Sequence, residues 1–104
     1  MNIQITARKI EILPGIRESI REKLSRLDKF NHKIQNLESV IKAEERSVSC
    51  ELIIHIDNQE SLVIEASGDT IQAAADIAIG KAERQLRKGK ERESVRRRAN
   101  LPDE

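Results

Sequence analysis

The chain has one aromatic residue, Phe30, and neither tryptophan nor tyrosine among its 104 residues. Domains that read single-stranded nucleic acid on a sheet stack bases on aromatic side chains carried by their strands, so that mode of readout is excluded. The single cysteine, Cys50, can neither close an internal disulfide nor furnish a multi-thiolate metal site; it fits a reducing compartment and reads as core. No run of about 18 uncharged apolar residues occurs, which excludes a membrane-spanning helix. The alternating start Met1–Arg8 lacks the apolar run of about 7–15 residues that a secretory signal needs. A cytoplasmic protein without a membrane partner is expected. Gly15, Gly68, Gly80 and Gly89 are too scattered for a dinucleotide fingerprint or a phosphate loop, so no cofactor is expected. The two histidines, His32 and His55, share no pattern with Cys50, so neither a metal site nor catalytic residues are expected, nor a small-molecule substrate.

Charge is what the chain has in quantity. Lys, Arg, Asp and Glu make up 36% of it, and 19 basic against 18 acidic residues leave a net charge of +1. Residues 1–35 hold eight basic and four acidic side chains, residues 36–76 hold two and nine, and residues 77–104 hold nine and five. Two basic segments therefore bracket an acidic one, and the fold decides whether the basic ends meet on one face.

The length suits one small domain. Ile3, Ile5 and Ala7 alternate with polar residues as a strand does. After Pro14, which suits a first helical turn, Ile16, Ile20, Leu24, Leu27 and Phe30 recur at helical spacing. Period two returns at Leu37, Ile41 and Ala43, at Val48–Ile56, and at Leu62, Ile64 and Ala66 beyond the turn pair Asp57-Asn58. Gly68 closes the last strand, and Asp69 is the expected N-cap of a second helix whose stripe of Ile71, Ala74, Ala75, Ala78, Ile79, Ala82 and Leu86 is mostly alanine. The reading is an α+β fold of order β-α-β-β-β-α, a four-stranded sheet with two helices packed on one face and an acid-bearing other face toward water. Residues 1–90 form the domain. Apolar periodicity fades from Lys88, so residues 91–104 are expected to be a basic, mobile tail.

On the second helix Lys81, Arg84 and Lys88 fall within about 60° of one another. The helix dipole accounts for cations in its last turn but not for Lys81 and Arg84 earlier. If Lys23, Arg26 and Lys29 of the first helix faced them, the groove would suit a phosphate backbone.

Asp69-Thr-Ile-Gln-Ala-Ala-Ala-Asp76, followed by Lys81-Ala-Glu-Arg-Gln-Leu-Arg-Lys-Gly-Lys90, resembles the second-helix signature of the ribosome hibernation promoting factor and protein Y family, also called the sigma-54 modulation or S30AE group. Asn2–Thr6 and Glu22–Phe30 are similar to that family's first strand and first helix. The resemblance implies a fold like a double-stranded RNA-binding domain and binding to the small ribosomal subunit in the mRNA and tRNA channel. It further implies translational repression under stress or in stationary phase by a non-enzymatic short form that is a monomer off the ribosome. Position by position it points to Lys23, Arg26, Lys29, Lys81, Arg84 and Lys88 as contacts to ribosomal RNA, extended by Arg87 and Lys90. The alternative is a protein-interaction module modulating sigma-54-dependent transcription through the acidic sheet face. A hydrolase centred on His55 or Cys50 has the least support.

Overall fold

The structure, a computed structural model, describes the backbone of residues 1–99 and the side chains of residues 1–89. Strand β1 (Asn2–Arg8) leads to helix α1 (Pro14–Ser25), a 3-10 turn (Arg26–Lys29), the strands β2 (Ile34–Ala43), β3 (Val48–Ile56) and β4 (Leu62–Gly68), and helix α2 (Ile71–Ala99). The strands lie in the order β1-β2-β3-β4. β1 runs parallel to β2, and the other neighbours are antiparallel. Parallel neighbours need a crossover, and α1 supplies it, whereas short turns suffice from β2 to β4. The order of elements is the expected one.

Residue parity decides which side of the sheet is covered. Along β3 the side chains of Val48, Cys50, Leu52, Ile54 and Ile56 are buried under the helices, while Ser49, Glu51, Ile53 and His55 face the open side. β2 begins earlier than its alternation suggests, at Ile34, because a bulge between Ile34 and Asn36 shifts the register and lets Ile34 as well as Leu37 point inward. Ser39 takes an inward position that apolar spacing passes over. It is fully buried, and its hydroxyl lies 3.6 Å from the Cys50 sulfur, which gives both polar groups a partner.

Helix α1 is shorter than the stripe ending at Phe30 suggests. It stops at Ser25, and the 3-10 turn keeps Leu27 wholly buried while leaving Phe30 just past the helical geometry, its N–H bonded to the Leu27 carbonyl. Helix α2 is capped by Thr70 rather than by Asp69. The Thr70 hydroxyl accepts from the Ala73 N–H at 3.0 Å, and its carbonyl accepts from Ala74. The hydroxyl one residue before the first helical position has the reach to the third amide, and Asp69 lies one residue too early. The backbone of α2 continues to Ala99, since Lys, Glu, Arg and Ala after Gly89 are good helix formers and no proline intervenes before Pro102. The mobility expected of residues 91–104 falls on side chains, and from residue 100 on backbone, that lie outside those described.

The seam between α2 and the sheet is built of small residues. Ala74, Ala78 and Ala82 have no exposure, and Gly68 completes the approach. A Cβ added there would stand 2.6 Å from the Ala74 nitrogen. A Gly68→Val substitution therefore forces the helix start off the sheet, and urea denaturation is expected to show a loss of about 1–3 kcal/mol. Burial pushes the Cys50 thiol pKa up, and the Ser39 hydroxyl opposes that only in part. Its stabilising neutral form is complete below the ordinary thiol range and is lost as pH rises, because the unfolded chain ionises first. Cys50 is expected to react with a thiol reagent at pH 8 only at the rate of protein opening, with stability declining above about pH 8.5. Rapid labelling of the native protein would contradict its burial.

Candidate nucleic-acid interface

The two helices lie side by side, and an ion pair links them across their exposed edge. Lys23 Nζ reaches Asp76 Oδ1 at 2.8 Å, with both side chains about half exposed. Arg26, in the 3-10 turn, sits 3.6 Å from Glu22 of α1. Lys29 is exposed and makes no ion pair among the described residues. The first basic triplet is thus divided between a tie across the helices, a loose pair on its own surface and one free cation.

The second triplet diverges from the first. Lys81 lies about 140° around α2 from Asp76, and its ammonium donates to the Glu65 carbonyl of β4 at 2.9 Å. It faces the sheet edge, away from α1. Arg84 is exposed on the outer surface, its Nε bonded only to the Gly80 carbonyl of its own helix at 3.4 Å, and Lys88 is exposed without an ion pair among the described residues. Lys81, Arg84 and Lys88 do form one ridge, but it lies on the outer and β4 flank of α2. The groove in which both triplets would face each other does not form, because Asp76 and Arg87 occupy the side of α2 that meets α1. Arg87 places its guanidinium 5.0 Å from the centroid of the Phe30 ring, a cation–π contact joining the end of the first helical segment to α2. The side chain of Lys90 lies outside those described.

Lys81 has a counterpart at the opposite edge of the sheet, one that apolar spacing does not reveal. Arg17 and Arg21 of α1 donate to the carbonyls of Ile5 and Ile3 on β1, at 2.7 and 2.9 Å. Cationic side chains thus occupy backbone acceptors on both edge strands, which would otherwise invite pairing with another chain. Their spacing of four residues on α1, matched to a spacing of two on β1, is the signal the sequence contained.

The open sheet face carries Glu38, Glu51 and Glu65, with Glu51 directly opposite Glu65. Glu44 follows β2, its carboxylate 3.3 Å from the Ser49 hydroxyl. His55 stands on this face between the Ser61 hydroxyl, 2.9 Å from Nδ1, and Glu38, 3.7 Å from Nε2. Cys50 is on the other face of the same strand, so the two groups that a hydrolytic reading would combine are separated by the sheet. Histidine and both its neighbours are substantially exposed, without the dry surroundings in which such a relay gains reactivity. Among the described residues no cluster of His, Cys, Asp and Glu could hold a metal, and no helix is long and apolar enough to cross a membrane.

The two kinds of cation predict different stability effects. Lys81→Met keeps the stem but loses the bond to Glu65, and urea denaturation should register a loss of about 0.5–1 kcal/mol. Arg84→Gln should stay within about 0.5 kcal/mol of wild type. Equal effects would refute the division of labour.

Comparison with known proteins gives this geometry a lineage. Residues 3–94 match the family described as Sigma 54 modulation protein / S30EA ribosomal protein. A ribosome hibernation promoting factor of Klebsiella oxytoca is 32% identical over 92 residues, covering 88% of this chain and 96% of that protein. One of Azotobacter vinelandii is 26% identical over 102 residues, covering 98% and 94%. Among solved structures, a ribosomal subunit interface protein from Coxiella burnetii superposes with a TM-score of 0.80 at 24% identity, covering 86% of this chain and 98% of the other. The N-terminal domain of Thermus thermophilus protein Y gives 0.75 at 25% identity, covering 85% and 98%. The chain therefore belongs to the sigma 54 modulation and S30EA ribosomal protein family, a family of ribosome-associated factors and not of enzymes.

Proposed function

We propose that the protein is a ribosome hibernation factor that binds the small ribosomal subunit in the channel used by mRNA and tRNA, through phosphates of ribosomal RNA, and so represses translation under stress or in stationary phase. The observation that carries this reading is the outer flank of α2, where Arg84 and Lys88 stand exposed with no acidic partner among the described residues. Guanidinium and ammonium groups presented in this way neutralise phosphates and release counterions. Lys29 and Arg26 add charge at the end of the first helical segment. Lys23 and Lys81 are already bonded within the fold, and their contribution is to hold α2 in place as much as to add positive potential. Arg87, exposed on α2, adds to the basic surface.

The acidic sheet face gives the molecule a direction. An RNA surface attracts the helix layer and repels the strand layer, which orients the protein without any reading of base sequence. Such a factor works in the cytoplasm, and with both sheet edges occupied by cations it is a monomer off the ribosome. The names of the relatives, ribosome hibernation promoting factor and ribosomal subunit interface protein, support a ribosomal partner.

Cosedimentation with purified small subunits across a salt series tests this reading. Wild type is expected to bind saturably, with affinity falling steeply as salt rises. An Arg84→Glu, Lys88→Glu double variant, which disturbs neither Lys81 nor Lys23, is expected to lose that binding while keeping its urea midpoint. Undiminished binding by the folded double variant would overturn the assignment.

A further inference from the structure

Where α2 passes the end of the sheet, a cleft of about 550 Å³ opens between the helix, the residues after the 3-10 turn and the β3–β4 hairpin. That volume falls within the range of about 300–1,000 Å³ common to small-ligand sites. The apolar side chains of Ile56, Leu62 and Leu86 line it, and Phe30, the single aromatic residue of the chain, joins them. Arg87 holds the Phe30 ring in place from α2.

The polar lining differs in kind from the rest of the surface. Asn31 accepts from the Lys33 N–H at 2.8 Å through its side-chain oxygen, which fixes the local turn and leaves its amide N–H groups to donate. Gln85 brings a second amide, and Glu60 brings a carboxylate that can only accept. Lys33 and Lys88, both exposed, supply positive charge at the cleft. Gly89 lies beside Lys88, and a side chain there would meet nothing within 4 Å, so the helix does not obstruct the opening. An apolar floor with one aromatic ring, amides able to pair with a heterocycle edge, and two cations together match a nucleoside phosphate.

We propose that this cleft receives one unstacked nucleotide of an RNA strand, its base over Ile56, Leu62 and Leu86 against Phe30 and its phosphate held by Lys33 and Lys88. The inference rests on the RNA-binding reading above and adds a base contact to it. Lys88 belongs both to the outer ridge of α2 and to the cleft, so a strand tracking that ridge arrives at the opening. A free nucleoside triphosphate is the poorer fit. The cleft lies beside the later turns of α2 and the end of the 3-10 turn, with no glycine-rich loop or helix N-terminus to cradle several phosphates.

Titration of the full chain by NMR, following backbone amides, tests this with three probes: single-stranded oligoadenylate of about six nucleotides, an abasic oligonucleotide of equal length and charge, and AMP. The oligoadenylate is expected to shift amides of residues 30–33, 56–62 and 85–89 and to bind at least about tenfold more tightly than the abasic strand. Phe30→Leu should erase that preference, and Lys33→Glu should weaken both strands alike, while amides elsewhere keep their wild-type positions. Equal affinity for the two strands, or failure of both to bind, would overturn the nucleotide cleft. AMP binding as tightly as the oligonucleotide would overturn the RNA-borne ligand in favour of a free nucleotide. Cosedimentation keeps the two readings apart: wild type that binds small subunits without any preference for bases sinks the cleft alone, whereas wild type that binds neither sinks both.

Discussion

Everything about this molecule's two layers depends on how closely α2 can approach β3 and β4. Ala74, Ala78 and Ala82 turn side chains of one carbon toward the sheet and are completely buried, and Gly68 removes even that carbon where the strand ends beneath the helix. Bulkier residues on the helix would lift it, uncovering Leu52 and Ile54 and opening voids that close-packed interiors do not tolerate. The close seam also fixes the azimuth of the helix. With the alanines down, Asp76 and Arg87 must look toward α1, Lys81 toward the edge of β4, and Arg84 outward, so the placement of every charge on α2 follows from where its small residues lie.

That azimuth sorts cations which look alike in sequence. Arg17, Arg21 and Lys81 are spent on backbone carbonyls of the two edge strands, and Lys23 is spent on Asp76. A partly exposed ion pair such as Lys23–Asp76 contributes roughly 0.2–1 kcal/mol, so its importance lies in setting the distance between the helices more than in holding them. Lys29, Arg84 and Lys88 are left with their full charge available. In the proposed function such a surface works through its least engaged groups on a rigid support, and the engaged ones supply the rigidity.

Much of the fold is legible in the chain because period two and period 3.6 are nearly uninterrupted. The alternation of β3 from Val48 to Ile56 and the alanine stripe of α2 specify both their elements and their buried faces. What period cannot convey is local hydrogen bonding. Asp69 and Thr70 are both good capping residues, and only the path of the chain after Gly68 selects the threonine. The helical stripe Ile16–Phe30 is equally compatible with an α-helix to its end and with one that tightens into a 3-10 turn, since Leu27 is buried either way. The bulge at Ile34 and the polar Ser39 on a buried face have no counterpart in apolar spacing. Angles on α2 correctly gather Lys81, Arg84 and Lys88 into one ridge, but angles on isolated helices do not say which flank a neighbour takes. The groove between two basic triplets was the natural expectation, and the side taken by α1 prevents it.

The acidic face has its own logic. Glu51 lies directly opposite Glu65, an arrangement that costs stability through like-charge repulsion across a strand pair, and neither carboxylate has an ion-pair partner among the described residues. A lysine at either position would relieve the repulsion, but it would also spread positive charge onto the second face and weaken the difference in potential between the layers. A protein held on RNA by one side gains orientation from that difference, because misoriented encounters place carboxylates against phosphates. The same segregation reconciles a net charge near neutrality with the proposed polyanion binding: what would decide the interaction is the field at the helix layer within about 10 Å, the screening length at ordinary salt, and not the sum over the chain.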